Sequence, residues 1–168
     1  MARNLIDRVV DICFGPTILM EMQRLYSIGE ASDLIGVSVQ MLRIYEREGL
    51  ILPLRKTSKH RLYSEEDIER LRCIRSTIKE EKVSIAGLRS MLALIPCWGI
   101  RNCPEESRRD CPAFFEHTTP CWTVAGKPWE CASAECRGCT VYVNNAGCGN
   151  IKQTIASFTS AASREANQ

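Results

Sequence analysis

The sequence lacks a long apolar run and a strong net charge. No uninterrupted apolar stretch in the 168 residues approaches the roughly 20 that a membrane-spanning helix needs. Near the N-terminus Asp7, Arg8 and Asp11 interrupt the apolar residues, unlike the core of a secretory signal. We therefore expect a cytoplasmic protein that makes no membrane contact. The net charge is only +2, so any nucleic-acid binding must depend on a local basic patch.

Histidine is scarce, with two residues, whereas cysteine is abundant, with ten. Eight of the cysteines lie between Cys97 and Cys148. In a secreted chain this density would predict disulfides, but in a cytoplasmic chain it favours metal binding or redox chemistry. Cys13 and Cys73 stand apart and are expected to be small buried apolar side chains.

Composition divides the chain into four segments. We predict a mainly α protein, and its segments are an N-terminal extension (1–25), a helical domain (26–95), a small irregular cysteine-rich domain (96–149) and a flexible tail (150–168). Met22 is an alternative to Met1 as the start, because it just precedes the predicted helical domain.

Two short helices joined by a glycine begin the helical domain. Ser27 can cap a helix over Ile28–Ile35, and Gly36 permits a tight turn with positive φ. A second helix is predicted from Val39 to about Glu48. This pattern is typical of a helix-turn-helix.

A β-hairpin, or wing, is predicted after the second helix. Leu50–Leu54 and Arg61–Tyr63 are short apolar segments on either side of a basic, turn-prone stretch. Ser64, with Asp67 at the capping-box distance, starts a third helix.

The last predicted helix runs from about Ser84 to Ile95, and Pro96 ends it. It carries a short apolar stripe, made of Ile85, Leu88, Met91, Leu92 and Ile95.

Basic and polar side chains on the second helix and the wing are the candidate DNA contacts. Arginine and glutamine can read base edges in the major groove, and tyrosine and the cations of a wing can reach phosphates. Such charges often only solvate a surface, but here both basic elements belong to one helix-turn-helix. The candidates are Gln40, Arg43, Tyr45, Arg47, Arg55, Lys56, Lys59, Arg61 and Tyr63.

Several linked motifs resemble the MerR family of transcriptional regulators. They are Tyr26-Ser-Ile-Gly-Glu-Ala, Leu42-Arg-Ile-Tyr-Glu-Arg-Glu-Gly-Leu50, Arg61-Leu-Tyr-Ser-Glu-Glu-Asp-Ile68 and Glu69-Arg-Leu-Arg-Cys-Ile74. Val83-Ser-Ile-Ala-Gly-Leu-Arg89 is more similar to the glutamine-synthetase and heat-shock repressor branch of that family.

The resemblance implies a homodimer that binds and distorts a palindromic site in double-stranded promoter DNA, and acts on RNA polymerase indirectly. Arg43 and Tyr45 match the family positions that meet DNA, and Arg61 and Tyr63 match the wing and its anchor. Ile44 departs from the second aromatic residue that many members carry. Pro96 also departs, because it interrupts the helix that usually continues into a dimerising coiled coil. The dimer interface is therefore expected either to be small or to be completed by the cysteine-rich region or the N-terminal extension.

The clustered cysteines are the candidate metal ligands. Cys-Trp occurs twice, at Cys97 and Cys121, and resembles a two-CW cysteine-rich domain found on bacterial regulators. Cys136 and Cys139 form a C-x₂-C pair, a spacing that lets two thiolates reach one metal. The full set is Cys97, Cys103, Cys111, Cys121, Cys131, Cys136, Cys139 and Cys148.

Three chemistries remain open for these thiols: an iron–sulfur cluster, Zn²⁺ sites, or reversible dithiol–disulfide exchange. We predict a transcriptional regulator of the MerR type that the cysteines control through redox state, a cluster or a metal. The alternatives are a regulator with a purely structural zinc module and a thiol-redox enzyme. The enzyme is disfavoured because no thioredoxin-like βαβ pattern surrounds Cys136 and Cys139.

Overall fold

The fold is mainly helical, as the sequence predicts. The computed structural model describes residues 24–55, 60–132, 135–145 and 151–157. The elements of the first part are β1 (Tyr26–Ser27), α1 (Ile28–Ile35), α2 (Val39–Arg47), β2 (Leu54–Arg55), β3 (Arg61–Tyr63), α3 (Glu65–Lys79) and α4 (Ile85–Ala93).

Each of these four helices begins at a serine. The side-chain oxygens of Ser27, Ser38, Ser64 and Ser84 accept a hydrogen bond from the backbone N–H three residues later. Each such cap is typically worth about 1 kcal/mol of helix stability. The predicted helix starts are therefore confirmed, and α2 and α4 end one or two residues earlier than predicted.

A three-stranded sheet stands where a two-stranded wing was predicted. β3 pairs antiparallel with β2 and also with β1, so the strand order is β1-β3-β2. Tyr26 lies opposite Tyr63, and Leu54 lies opposite Leu62. Sequence reasoning missed β1 because two residues carry no alternating pattern.

Single helical turns make up most of the cysteine-rich region. The apolar positions are too few for long amphipathic helices, and prolines at 96, 104, 112 and 120 precede several of the turns. The turns are α5 (Cys97–Ile100), α6 (Glu105–Arg109), α7 (Pro112–Phe115), α8 (Trp129–Ala132) and α9 (Thr140–Val143), together with 3₁₀ turns at Cys121–Thr123 and Cys136–Gly138.

The cysteine-rich region and the helix-turn-helix share one hydrophobic core. Trp122, Val141 and Tyr142 are at most 8% exposed and belong to the same cluster as Leu42 and Leu71. The region is therefore packed against the helix-turn-helix rather than linked to it as a separate body.

The predicted flexible tail is partly helical. Residues 151–157 form a helix, which we call α10. Ile151 is 4% exposed in the shared core, and the hydroxyl of Thr154 donates to Asn145 Oδ1 at 3.1 Å. Burial of Ile151 holds this helix, which corrects the prediction for that segment. Residues 1–23 and 158–168 lie outside the described residues.

Most of the predicted dimer stripe is used within the protomer. Leu88, Leu92 and Ile95 are at most 5% exposed and pack into the shared core. Met91 and Leu94 are 39% and 55% exposed. Of these five residues, only Met91 on α4 and Leu94 just after it remain exposed enough for self-association. In the part of the chain that the structure describes, no helix has the length and apolar character that crossing a membrane requires.

Candidate nucleic-acid interface and cysteine cavity

Helix α2 has one buried face and one exposed polar face. Leu42 is fully buried, whereas Gln40, Arg43 and Arg47 are exposed. Among the described residues Arg43 forms no ion pair, and Arg47 makes only a 3.4 Å contact with Glu48. These three side chains are available to an external ligand, in the arrangement that the sequence predicts for a recognition helix.

Two predicted contact residues lie in the core instead. Tyr45 is 3% exposed and Tyr63 is fully buried. Burial raises the pKa of Tyr63 to about 12, because the ionised phenolate would lose its hydration. The expectation that these tyrosines face DNA is corrected for the free protein. Their rings hold α2 and β3 in place, because both side chains point towards the core.

The wing is tied to the recognition helix by a carboxylate that sequence reasoning missed. Glu46 of α2 accepts from Arg55 Nη2 at 2.6 Å and also pairs with Arg61 Nε. The Glu46 side chain is only 13% exposed, so this is a partly desolvated bridge between the helix and strands β2 and β3. Two of the predicted phosphate contacts, Arg55 and Arg61, are thus brought together beside α2. Lys56 and Lys59 lie outside the described residues.

Seven cysteines line one cavity, although they are scattered over 43 positions of sequence. Trp98, Phe114 and Trp122 contribute to the same wall, and the rings of Trp98 and Phe114 meet edge to face at 5.1 Å. The described cysteines in this cavity are Cys97, Cys103, Cys111, Cys121, Cys131, Cys136 and Cys139, and all of them are partly buried. Cys148 lies outside the described residues.

Cationic side chains surround the thiols. Lys127 Nζ donates to the carbonyls of Cys121 and Val124, both at 2.8 Å, and Arg108 Nε donates to the carbonyl of Cys103 at 2.8 Å. Lys127 and Arg108 both line the cavity. Their positive charge favours thiolate over thiol in a cavity that is otherwise largely apolar.

The two Cys-Trp cysteines line the same cavity. A hydrogen-bonding interaction with the Cys121 thiol lowers the pKa of Cys97 to about 7, because it stabilises the Cys97 thiolate. The pKa of Cys121 is raised by the same hydrogen bond and by burial. The pKa of Cys131 is raised mainly by burial. Cys97 is accordingly favoured as the thiolate of this pair.

The spacing of the thiols suits a polynuclear group better than a single metal ion. Within the described residues, no three histidine, cysteine or acidic side chains stand close enough to hold one metal ion. A tetrahedral zinc site needs four ligand atoms at about 2.0–2.3 Å from one point. Thiols spread over a cavity wall instead suit an iron–sulfur cluster, which takes its thiolates at the periphery. His117 is exposed and does not line the cavity.

Cys73 differs from the expectation for a small buried thiol. It is only partly buried and is disulfide-bonded. Cys13 lies outside the described residues.

Comparison with known proteins identifies the first domain. Residues 26–94 match the family described as MerR HTH family regulatory protein. This segment is a MerR-type helix-turn-helix domain. The match covers α1 to α4 and includes the wing, so the predicted winged helix-turn-helix of the MerR type is confirmed for this part of the chain. The description is that of a regulatory protein, in agreement with the prediction that the chain is not an enzyme.

Curated relatives are similar to less than half of the chain. "Putative heat shock protein HspR" of Streptomyces coelicolor is 37% identical over 80 residues, 48% of this chain and 53% of the relative. "HTH-type transcriptional regulator HmrR" of Sinorhizobium medicae is 42% identical over 69 residues, 40% of this chain and 46% of the relative. "HTH-type transcriptional regulator TnrA" of Bacillus subtilis is 45% identical over 49 residues, 29% of this chain and 44% of the relative.

The chain therefore spans about half the length of the curated relatives it matches. No solved structure matches it significantly. The match to the MerR family thus concerns only the helix-turn-helix. The resemblance of the cysteine-rich region to a two-CW domain stays a prediction.

Proposed function

We propose that this chain is a transcriptional regulator that binds double-stranded promoter DNA through α2 and the wing. The MerR-type fold and the exposed Gln40, Arg43 and Arg47 support this function. An arginine or glutamine on a helix that enters the major groove can make bidentate contacts with a base edge. Arg55 and Arg61, held by Glu46, would lie beside the groove and meet phosphates. The active form is a cytoplasmic homodimer on a palindromic site, and it affects RNA polymerase only through the shape of the DNA.

We further propose that the cysteine cavity holds an iron–sulfur cluster that controls DNA binding. The observation that carries this proposal is the gathering of seven cysteines around one cavity. Aromatic rings shield such a group from water, and Lys127 and Arg108 offset the negative charge of a thiolate-bound cluster. Bound there, the cluster supplies one-electron chemistry and sensitivity to oxidants. Cys97, Cys121, Cys136 and Cys139 are the proposed ligands because they carry the paired motifs.

DNA binding is tested by selecting duplexes from a random pool with the full-length protein and measuring the affinity for the selected sequence. Replacing Arg43 with alanine should weaken that affinity by about 1–3 kcal/mol, roughly 5- to 150-fold, because a base-edge contact is lost. Arg109→Ala, which removes an exposed arginine from α6, serves as the matched control and should leave the affinity unchanged. Failure to enrich any sequence, or equal affinities for both variants, would contradict the proposal.

The cofactor is tested by elemental analysis of protein purified without oxygen. Iron and acid-labile sulfide in equal amounts, with visible charge-transfer absorption, are the expected result. Stoichiometric zinc in a colourless protein would support the structural zinc module instead. Absence of both metals, together with reversible disulfides on oxidation, would favour direct thiol switching.

A further inference from the structure

The segment that joins the recognition helix to the wing is bonded along its backbone by the cysteine-rich region. This connector comprises residues 49–52, between the end of α2 and the start of β2. Trp122 Nε1 donates to the carbonyl of Gly49 at 2.7 Å, and the bond is buried. The hydroxyl of Tyr142 accepts from the Leu52 N–H at 2.8 Å. Two backbone groups of the connector therefore depend on aromatic side chains from the other region.

Arg137 adds a third attachment. Its guanidinium donates to the carbonyl of Leu52 and to both carboxylate oxygens of Asp67, at 3.0 and 2.5 Å. It also reaches the hydroxyl of Ser64 at 3.2 Å. Ser64 and Asp67 form the capping box of α3, so Arg137 joins the end of the connector to the start of that helix.

Arg70 completes the arrangement from within the helix-turn-helix. It is 3% exposed, and it donates from Nε to the carbonyl of Leu50 at 2.8 Å and from Nη1 to the carbonyl of Tyr142 at 3.1 Å. Its guanidinium lies 4.1 Å from the centre of the Tyr142 ring and 5.5 Å from that of Trp122. The connector, α3 and the cysteine-rich region are thus fixed by one buried polar network.

Each attachment from the cysteine-rich region lies next to a cysteine of the cavity. Trp122 directly follows Cys121, and Arg137 directly follows Cys136. Tyr142 donates its backbone N–H to the carbonyl of Cys139 at 2.9 Å. A backbone shift at these cysteines would be passed to the attached side chains, because one peptide unit or one hydrogen bond separates them.

We propose that Trp122, Arg137 and Tyr142 transmit the state of the cysteine cavity to the connector, and so set the position of the wing relative to α2. This inference rests on the proposed function, since it requires DNA binding that responds to the cavity. The three side chains are positioning residues: they do not touch DNA or a cofactor ligand atom in this role. A structural change at the cavity would thus reach α2 and the wing within one protomer. This transmission crosses only a few bonds and does not require a dimerising helix.

The discriminating variant is Trp122→Phe, which keeps an aromatic ring but removes the indole N–H that Gly49 accepts from. The readout is the ratio of DNA affinities in the cofactor-loaded and cofactor-free states, measured on the full chain. In the wild type this ratio should be about 5- to 150-fold, the usual size of coupling between two sites. In Trp122→Phe, compared between its own iron-loaded and iron-free forms, this ratio should fall towards one. Trp129→Phe changes a tryptophan that is 78% exposed and should keep the wild-type ratio.

A wild-type ratio in Trp122→Phe with normal iron content overturns the inference and leaves the proposed function standing. Lack of DNA binding or of any response in the wild type would instead contradict the proposed function itself.

Amide hydrogen exchange on the wild-type protein gives a second test that needs no variant. The Leu52 N–H, bonded to Tyr142, should exchange faster in the cofactor-free state. The Met41 N–H, bonded to Ser38 Oγ at the other end of α2, should not change. Equal exchange at Leu52 in the two states would overturn the inference, even if Trp122→Phe disturbs cofactor binding.

Discussion

Glu46 on the recognition helix pairs with Arg61 on strand β3, and its second carboxylate oxygen binds Arg55 on β2. Neutralising this carboxylate removes both ion pairs that hold the wing next to α2. We expect Glu46→Gln to reduce the preference for the selected DNA sequence over unrelated DNA. Affinity for unrelated DNA should be kept or increased, because Arg55 and Arg61 are then free to meet phosphates. Binding measured on both duplexes over a range of salt concentrations checks this.

The matched control is Glu69→Gln, which breaks an exposed ion pair with Arg72 on α3. Exposed pairs of this kind are usually worth about 0–1 kcal/mol. The control should change neither stability nor sequence preference noticeably. If Glu69→Gln lost as much sequence preference as Glu46→Gln, the ion pairs of Glu46 with the wing could not be the cause of that preference.

Gly49 should tolerate alanine far less well than Gly36. Both glycines have positive φ, at 72° and 67°, so each alanine is expected to cost about 1 kcal/mol or more in backbone strain. A Cβ on Gly49 would also lie 2.5 Å from Thr123 Cγ2, whereas one on Gly36 would make only an ordinary contact with Arg75. Chemical denaturation should therefore give a larger loss of unfolding free energy for Gly49→Ala.

Thr123→Ser removes the methyl group that would collide with the new Cβ. Combined with Gly49→Ala it should recover the steric part of the loss and leave the backbone strain. Equal losses of unfolding free energy for Gly36→Ala and Gly49→Ala would mean that Thr123 does not pack closely against the end of the recognition helix.

The hydroxyl of Tyr63 predicts how stability depends on alkaline pH. The unfolded chain releases this proton near its ordinary pKa of about 10, whereas the folded protein holds it until about 12. Between these values the unfolded state binds fewer protons, so the free energy of unfolding falls as pH rises. Tyr63→Phe should remove this part of the alkaline loss in urea titrations.

Tyr63→Phe should also be nearly neutral at pH 7, because the hydroxyl has no hydrogen-bond partner among the described residues. The contrasting variant is Tyr142→Phe, which leaves the Leu52 N–H without its acceptor and should destabilise the protein by about 1–3 kcal/mol. A large loss in Tyr63→Phe at neutral pH would contradict the assignment of an unpaired hydroxyl.

Local signals in the sequence were sufficient to predict the helix-turn-helix. Ser27, Ser38 and Ser64 begin their helices through contacts only three residues away, and Gly36 adopts the positive φ that its turn requires. These interactions depend on neighbours in the chain, so composition and spacing reveal them.

The docking of the cysteine-rich region could not be predicted in this way. Trp122 and Gly49 are 73 positions apart, and Arg137 and Leu52 are 85 apart. No periodic pattern links such positions. From the sequence alone, a tryptophan in a small domain is as compatible with general core packing as with a specific long-range hydrogen bond. Burial of Tyr45 and Tyr63 was missed for a related reason, since a tyrosine on an amphipathic helix or strand is compatible with either face.

The proposed control of DNA binding by the cysteine cavity can be measured directly. The most direct measurement is the affinity of the full-length protein for its selected duplex, in protein purified without oxygen and in the same protein after removal of the cofactor. We predict affinities that differ by about 5- to 150-fold, with restoration when the cofactor is rebuilt. Equal affinities in the two states, with correctly folded protein in both, would contradict this account.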